Sequence, residues 1–226
     1  MGNDFGMIQL TASDGNRFDA YEVHPVGAAA AVVIVQEIFG VNEHIRSVVD
    51  RYAALGYHAI APALFDRVEP EVELGYDAPG IERGRELAMA VRWEPAMRDV
   101  AAAVEHVSST GPVAVIGYCF GGSLAWLAAH ELPVAAAVAY YGGQIHDLID
   151  RQPVAPTMLH FGELDQGIPL EKVNEIAEAH PDVKVHVYGQ AQHGFSCDAR
   201  ASYGADSAAL ARERTLAFLA ANGVTV

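Results

Sequence analysis

Short runs of apolar, largely β-branched residues alternate along the chain with longer segments whose apolar residues recur every three or four positions. The run at 31–36 reads AVVIVQ, which is typical of a strand buried on both faces of a parallel sheet. The segment at 42–55 has helical spacing instead, and Gly56 then supplies a stop signal. This part of the pattern therefore predicts a strand, a loop and a helix as the first repeating unit.

The alternation of strand and helix patterns continues to the end of the chain. Further strands are predicted at 57–61, 113–116, 134–140, 156–161 and 183–188. Helices are predicted at 81–91, 94–107, 121–131, 170–179 and 203–221. Prolines, glycines and acidic residues at 67–80 indicate an exposed loop that could shape a pocket. Residues 7–24 predict an antiparallel hairpin at one edge of the sheet, with its turn at 13–16.

Strands that alternate with helices are typical of an α/β fold with right-handed crossovers. We expect a mainly parallel, doubly wound sheet with helices on both faces. The sequence has no internal repeat, low-complexity tract or linker, and its 226 residues fit one α/β domain, since such domains reach about 250 residues. Residues 1–226 are therefore predicted to form a single domain.

Composition and charge narrow the range of functions. Hydrophobic residues make up 51% of the chain and charged residues 19%, which provides enough apolar surface for a globular core. The 14 Lys+Arg and 29 Asp+Glu give a net charge of -15, so the overall field repels nucleic acids and anionic membranes. Residues 1–14 lack an export-signal pattern, and no apolar run reaches the roughly 18 residues of a membrane span. We expect neither nucleic acid nor membrane as a partner, and a monomer or small homo-oligomer.

The two cysteines of the chain, Cys119 and Cys197, form neither a CxxC pair nor a secreted disulfide framework. A reducing cytoplasm is therefore the expected location. The sequence also has no HExxH motif or paired His/Cys spacing, so no metal is expected.

The most informative segment, 115–122, reads VIGYCFGG and places Cys119 where a serine stands in the G-x-S-x-G nucleophile elbow. A predicted strand precedes it and a predicted helix follows it. Gly117 and Gly121 suit the tight turn, and the helix N-terminus favours a negatively charged thiolate or oxyanion. The N–H of Phe120 is one predicted oxyanion donor. A buried structural cysteine in a glycine-rich turn is the alternative interpretation.

Two further residues follow Cys119 in the order nucleophile, acid, histidine that triads on this kind of sheet have. Asp165 lies between a predicted strand and a helix, and His193 lies in a glycine-rich loop after the next strand. Asp165 could instead cap a turn, and Glu163 is a rival carboxylate. We predict Cys119 as the nucleophile, His193 as the base and Asp165 as the residue that orients the base.

The segments QEIFGVN (36–42), GYCFGG (117–122), HGF (193–195) and the loop around Asp165 together resemble the dienelactone hydrolase family. The resemblance spans nearly the whole chain. It implies an α/β-hydrolase fold and a hydrolase that opens an unsaturated lactone carrying a carboxylate, in the breakdown of aromatic compounds. It also implies a small-molecule lactone or ester as the partner and no cofactor.

The resemblance gives Glu37 a second role, which is to contact the resting thiol and to help generate the thiolate when substrate arrives. It makes the N–H of Ile38 the second oxyanion donor. Glu37 also stands out on physical grounds, because a carboxylate at the end of a buried apolar strand is unfavourable unless it is paired or functional. A structural salt bridge is the alternative.

The family uses arginines to hold the carboxylate of its substrate, and the resemblance places one of them in the segment 82–86. Arg85 is the expected residue, with Arg83 as the alternative. Phe39 and Tyr141 are the other residues expected to bind substrate.

The chain departs from the family pattern in two places. Cys197 stands four residues after the catalytic histidine, where a second substrate arginine is expected, and Arg200 is near but displaced. Met89 stands where an aromatic residue is expected. Two other functions therefore stay open: a thioesterase or redox-active thiol protein in which Cys197 resolves an oxidised Cys119, and a non-catalytic binding module on a hydrolase fold.

Overall fold

Eight strands form one mixed sheet in the structure, a computed structural model that describes residues 4–226, with side chains from residue 6 onward. Residues 1–3, part of the segment expected to lack an export signal, lie outside this range. The strands are β1 (Asp4–Thr11), β2 (Arg17–His24), β3 (Ala31–Val35), β4 (His58–Pro62), β5 (Val113–Tyr118), β6 (Ala136–Tyr140), β7 (Thr157–Gly162) and β8 (Lys184–Tyr188).

The strand order in the sheet is β1-β2-β4-β3-β5-β6-β7-β8. The pairings from β4 through β3 to β8 are all parallel, whereas β1 and β2 pair antiparallel at one edge. α-Helices connect the parallel strands, except between β6 and β7, where the connection contains only a short 3₁₀ helix at His146–Leu148. The predicted α/β-hydrolase fold with a mainly parallel sheet is confirmed.

Six α-helices accompany the sheet in the described part of the chain. They are α1 (Glu43–Ala53), α2 (Ala78–Val91), α3 (Trp93–Val107), α4 (Phe120–Glu131), α5 (Leu170–Ala179) and α6 (Ala205–Ala221). Asn42 begins α1, because its side-chain oxygen accepts a hydrogen bond from the N–H of Ile45 at 3.2 Å. None of the helices between residues 4 and 226 is long and apolar enough to cross a bilayer.

The start of α2 was predicted three residues too late. The helix begins at Ala78, and the side chain of Asp77 caps it by accepting a hydrogen bond from the N–H of Gly80 at 2.9 Å. Pro79 lies in the first turn, where its missing N–H leaves no intrahelical bond unmade. The preceding loop is mostly exposed, as predicted, but a short 3₁₀ helix at Leu64–Arg67 precedes it.

Helix α4 lies deep in the molecule, and small residues at its start let it approach the sheet. A Cβ atom on Gly121 would lie 2.2 Å from the carbonyl oxygen of Val35 at the end of β3. A Cβ atom on Gly122 would lie 2.7 Å from the carbonyl oxygen of Tyr140 at the end of β6. The N-terminus of α4 is therefore held against the carboxyl ends of two strands.

The carboxyl ends of the parallel strands bring distant parts of the chain together. Glu37 follows β3, Cys119 follows β5, Tyr141 follows β6, Asp165 follows β7 and His193 follows β8. In open parallel sheets this edge is where ligands bind.

Candidate active site

Cys119 lies on a sharp turn between β5 and α4. Its φ angle is 52°, in the left-handed region that few residues other than glycine adopt, so the backbone is strained here. Its N–H donates a hydrogen bond to the carbonyl oxygen of Tyr140 at 2.9 Å, which fixes the turn. A Cβ atom on Gly117 would lie 1.8 Å from the carbonyl oxygen of Gly121. These close approaches explain the glycines that flank the cysteine.

The side chains of Cys119, His193 and Asp165 form a continuous chain of contacts. The Nε2 atom of His193 lies 3.2 Å from the Sγ atom of Cys119, and its Nδ1 atom lies 2.7 Å from the Oδ2 atom of Asp165. The other carboxylate oxygen of Asp165 accepts a hydrogen bond from the N–H of Gly167 at 2.9 Å. The rival Glu163 accepts instead from the N–H of Gln190 at 3.0 Å. Asp165 is therefore the carboxylate that contacts the histidine.

The pKa of His193 depends on these contacts. Burial lowers the pKa of the imidazole, but the charge of a Cys119 thiolate and the hydrogen bond to Asp165 outweigh it and raise the pKa to about 10. A thiolate on Cys119 is therefore accompanied by a protonated ring on His193. The pair can exchange one proton across a short distance, which suits nucleophilic catalysis.

The raised pKa of His193 predicts a specific dependence on pH. Because this pKa lies above the ordinary value of 6.5, the protonated ring stabilises the fold below pH 6.5, and this contribution disappears as the pH rises through about 10.

In Cys119→Ala the pKa of His193 should fall, because the thiolate charge that opposes the effect of burial is gone. An NMR titration of the His193 ring in both proteins measures the change. An equal pKa in the two proteins would contradict the thiolate–imidazolium pairing.

Ile38 and Phe120, the predicted oxyanion donors, both line a cleft together with Cys119. The N–H of Gly121 donates to the carbonyl oxygen of Gln36 at 3.0 Å, which ties the segment that carries Ile38 to the elbow. Phe120 is the first residue of α4, where the helix dipole favours negative charge. Both residues therefore line the same cleft as Cys119, and their role as oxyanion donors stays a prediction.

Glu37 is completely buried at the carboxyl end of β3. Its Oε1 atom lies 3.4 Å from the Nη1 atom of Arg200, and its Oε2 atom finds no hydrogen-bond partner within the described part of the chain. A carboxylate with a purely structural role satisfies both oxygens. The salt bridge considered for Glu37 is thus present, but it leaves the Oε2 atom without a hydrogen-bond partner among the described residues.

Arg200, which lies too far along the chain to match the expected second arginine, nevertheless reaches the cleft. Its guanidinium lies over the rings of Phe39 at 5.6 Å and Tyr76 at 5.7 Å from the centroids. Its Nη1 atom would lie 2.4 Å from a Cβ atom on Gly194, so the glycine that follows His193 makes room for the guanidinium. The cleft therefore contains a guanidinium although Cys197 occupies the expected arginine position.

The two candidate arginines of α2 differ clearly in their surroundings. Arg85 is exposed and lines the cleft. Arg83 forms ion pairs with Glu69 and with Glu86, the latter at 2.9 Å. Arg85 is the residue of this pair that is placed to meet a bound molecule. Met89, one turn further along α2, also lines the cleft.

Phe39 and Tyr141, the remaining predicted substrate contacts, occupy different positions. Phe39 is buried but forms part of the cleft wall beneath Arg200. Tyr141 is fully buried, its hydroxyl lies 2.8 Å from the Oγ atom of Ser196, and its ring lies 5.1 Å from that of His193. The expected substrate contact of Tyr141 is at odds with this burial. The ring of Tyr141 instead packs against the ring of His193.

Cys197 is buried and unpaired. Burial, together with the nearby charge of Glu37, raises the pKa of its thiol to about 11. Such a thiol stays protonated at neutral pH, which is unfavourable for attack on an oxidised cysteine. This setting weighs against the redox interpretation, in which Cys197 resolves a sulfenic acid on Cys119.

The cleft has a volume of about 1150 Å³ and also includes the triad residues. The dienelactone hydrolase family profile matches residues 18–223. The chain belongs to the dienelactone hydrolase family. It is 37% identical to a carboxymethylenebutenolidase of Pseudomonas putida, with 94% of this chain and 95% of that protein covered. It is 31% identical to carboxymethylenebutenolidase 1 of Cupriavidus pinatubonensis, with 94% and 95% covered.

A solved structure supports the same family membership. The crystal structure of a candidate dienelactone hydrolase from Klebsiella pneumoniae is 31% identical and superposes with a TM-score of 0.82, covering 96% of this chain and 99% of the other. As a dienelactone hydrolase family member the chain is a hydrolase that acts on ester or lactone bonds.

Proposed function

We propose that this dienelactone hydrolase family member opens a small lactone or ester through Cys119, His193 and Asp165 and a thioester intermediate. The observation that carries the proposal is the pair of contacts at His193, which lies 3.2 Å from Sγ of Cys119 and 2.7 Å from Asp165. Both cysteines are unpaired, which fits the reducing cytoplasm that we propose as its location.

In the first half of the reaction the thiolate of Cys119 attacks the carbonyl carbon of the lactone. The negative charge that develops on the carbonyl oxygen is stabilised by the N–H groups of Ile38 and Phe120. When the ring C–O bond breaks, the protonated ring of His193 donates its proton to the departing oxygen. The product of this half is a thioester on Cys119.

In the second half a water molecule attacks the thioester. His193 takes a proton from this water, and Asp165 holds the ring in the tautomer whose Nε2 atom can accept it. The new carboxylate leaves, and the proton returns to the sulfur of Cys119. No cofactor is needed for either half.

Glu37 would control when the thiolate forms. In the empty enzyme the buried negative charge of Glu37 repels a negative charge on Cys119, and it thus opposes the thiolate–imidazolium pair without abolishing it. An anionic substrate that pairs with Arg200 would compete with Glu37 for the guanidinium, since the two lie 3.4 Å apart. The freed carboxylate then assists transfer of the thiol proton to His193, which donates that proton to the departing ring oxygen.

The substrate that fits best carries a carboxylate near its lactone ring. The chain has a net charge of -15, so an anion is attracted only by local cationic groups. Arg85 and Arg200 supply such groups from two sides of the cleft. A dienelactone, as the name of the family suggests, has both the ring and the carboxylate.

The test of this substrate assignment is a comparison of a dienelactone, a neutral aryl ester and an acyl thioester. In Arg85→Gln and Arg200→Gln the KM for the dienelactone should rise by about 10- to 100-fold, because a charge-assisted contact contributes roughly 1.5–3 kcal/mol. The KM for the neutral ester should change little.

Arg83→Gln is the matched control, because Arg83 lies on the same helix but is paired with Glu69 and Glu86. Its kinetics should match those of the wild type on every substrate. Equal losses on the neutral ester and the dienelactone in Arg200→Gln would contradict a carboxylate-binding role. A clear preference of the wild type for the acyl thioester would favour the thioesterase alternative.

A further inference from the structure

Behind the cleft lies a second group of side chains that the proposed reaction does not use as a unit. Glu37, His44 and Cys197 are all buried, and one ligand-type atom of each lies within 4.8 Å of those of the other two. Carboxylate oxygen, imidazole nitrogen and cysteine sulfur are the three donors that proteins use to bind zinc. Glu37 and His44 lie in one segment but Cys197 lies far along the chain, which is why no metal-binding spacing predicted the three together.

Two of these three side chains carry a buried polar atom without a hydrogen-bond partner. Within the described part of the chain, the unsatisfied buried side-chain atoms are Oε2 of Glu37, Nε2 of His44 and Oγ of Ser202. Buried polar atoms are rarely left without a hydrogen-bond partner, and an exception often marks the position of a bound water or ion. Two of them in one cluster, next to a free thiol, point to a ligand that all three residues share.

The ring of His44 is oriented for this purpose by Asp198. The Nδ1 atom of His44 lies 3.0 Å from the Oδ1 atom of Asp198, and Arg51 holds the other oxygen of Asp198 at 3.2 Å. With the Nδ1 proton directed at a carboxylate, Nε2 keeps its lone pair free. A carboxylate behind a histidine is the usual support of a zinc-bound imidazole.

Neighbouring groups do not account for the unsatisfied atoms. Arg200 approaches Oε1 of Glu37 rather than Oε2. The hydroxyl of Tyr76 interacts with Cys197 and accepts a hydrogen bond from the side chain of Asn42 at 3.1 Å. The positive charge of Arg200 weakens cation binding here, but the charges of a carboxylate and a thiolate together balance those of a divalent ion.

We propose that Oε2 of Glu37, Nε2 of His44 and Sγ of Cys197 form a three-ligand site for Zn²⁺, with a water molecule as the fourth ligand. On binding, the thiol of Cys197 loses its proton to solvent and binds as the thiolate. Zinc then holds Glu37 away from its role beside Cys119, so a filled site inhibits hydrolysis. This inhibition rests on the proposed function, whereas metal binding does not.

A route for the ion lies on the outer side of the site. A second cavity of about 650 Å³ is lined by His44, Tyr76 and Asp198, and by the acidic residues Glu43 and Glu73. The negative side chains at this cavity favour entry of a cation.

A second cluster with similar donors provides a contrast. In it, Oε1 of Glu22 lies 2.7 Å from Nε2 of His58 and 2.7 Å from Nε2 of His106. Direct hydrogen bonds within the protein thus account for these atoms. His106→Ala is therefore a suitable control for metal binding elsewhere on the surface.

The test uses Co²⁺ as a spectroscopic probe for the zinc site in the purified protein after treatment with a chelator. The wild type should bind one equivalent of Co²⁺ with a sulfur-to-cobalt charge-transfer band, and Zn²⁺ should remove that band by competition. Cys197→Ala should lose the band. Asp198→Asn, a change at a half-exposed residue, should keep the band but bind about 10- to 100-fold more weakly.

Two controls exclude other sites. Cys119→Ser should keep the band, which shows that the sulfur of Cys119 is not the ligand, and His106→Ala should keep it as well. The proposal is overturned if Co²⁺ gives no saturable band, if Cys197→Ala retains it, or if Cys119→Ser or His106→Ala abolishes it. Circular dichroism of Cys197→Ala verifies that this variant folds. If Cys197→Ala does not fold, the Co²⁺ titration of Asp198→Asn tests the proposal instead.

Inhibition is measured separately, from initial rates in zinc buffers. Zinc should lower the rate of the wild type, a chelator should restore it, and Asp198→Asn should need about 10- to 100-fold more free zinc. A band without inhibition would overturn the regulatory half of the inference. Absence of hydrolysis on every substrate would count against the proposed function and leave the result of the cobalt titration standing.

Discussion

Cys119→Ala should lower kcat/KM for the preferred lactone or ester by about 10⁴-fold or more. Loss of the nucleophile in a triad enzyme typically removes effects of this size, because the base can no longer act through a covalent intermediate. The change is small in volume and leaves the strained φ angle of 52° in place, so the fold should be retained. Steady-state kinetics beside a thermal unfolding curve measure both.

The matched control for this prediction is Cys197→Ala, which also removes one cysteine sulfur. Measured in the presence of a chelator, it should retain far more activity than Cys119→Ala, since the proposed reaction does not pass through Cys197. Comparable losses in the two variants, with both folded, would argue against Cys119 as the single nucleophile.

Asp165→Asn should lower kcat/KM by roughly 10³–10⁴-fold through the tautomer of His193. The Oδ1 atom of Asp165 accepts from the N–H of Gly167 at 2.9 Å, so the oxygen of an asparagine is held there and its NH₂ group faces His193. An NH₂ group can only donate to Nδ1, which leaves the proton on Nε2. The base is then unable to accept a proton from Cys119 or from water.

Glu163→Gln is the control, because Glu163 lies in the same loop and lines the same cleft but bonds to the backbone of Gln190. Its activity should be close to that of the wild type. If Glu163→Gln lost activity and Asp165→Asn did not, the assignment of the acid would be wrong. The kinetics of both variants are measured on one substrate at one pH.

The strand pattern of the sheet could be predicted because buried parallel strands have a distinctive composition. The run at 31–36 is apolar throughout, and its core, β3 at Ala31–Val35, is completely buried between neighbouring strands. The sequence predicts less well where a residue type occurs in two kinds of local structure, as proline does in loops and in the first turn of a helix. Pro79 and Gly80 were interpreted as helix breakers, whereas they form the first turn of α2 behind the cap of Asp77.

The contacts among Cys119, His193 and Asp165 could be anticipated for a related reason. The three residues follow the carboxyl ends of β5, β7 and β8, and this fold has a fixed chain order for such residues. The position of Arg200 could not be anticipated in the same way. It reaches the cleft because the turn after Cys197 folds back, with the N–H of Arg200 donating to the carbonyl oxygen of Cys197 at 3.1 Å.

Burial and long-range pairing account for the remaining differences. Tyr141 follows a strand end, as a substrate contact would, but its hydroxyl bonds to Ser196 inside the protein. His44 gave no sequence signal, since its partner Asp198 lies at the far end of the chain. Such contacts depend on tertiary structure and not on spacing.

The central claim is that acyl transfer passes through the sulfur of Cys119, and trapping the acyl-enzyme tests it most directly. The enzyme is mixed with a slowly hydrolysed aryl ester, quenched in acid, and analysed by mass spectrometry of the intact protein and its peptides. We predict the mass of the acyl group on the peptide that contains Cys119, and its absence in Cys119→Ala. Undiminished hydrolysis by Cys119→Ala, with no acyl adduct on the wild type during turnover, would contradict the account.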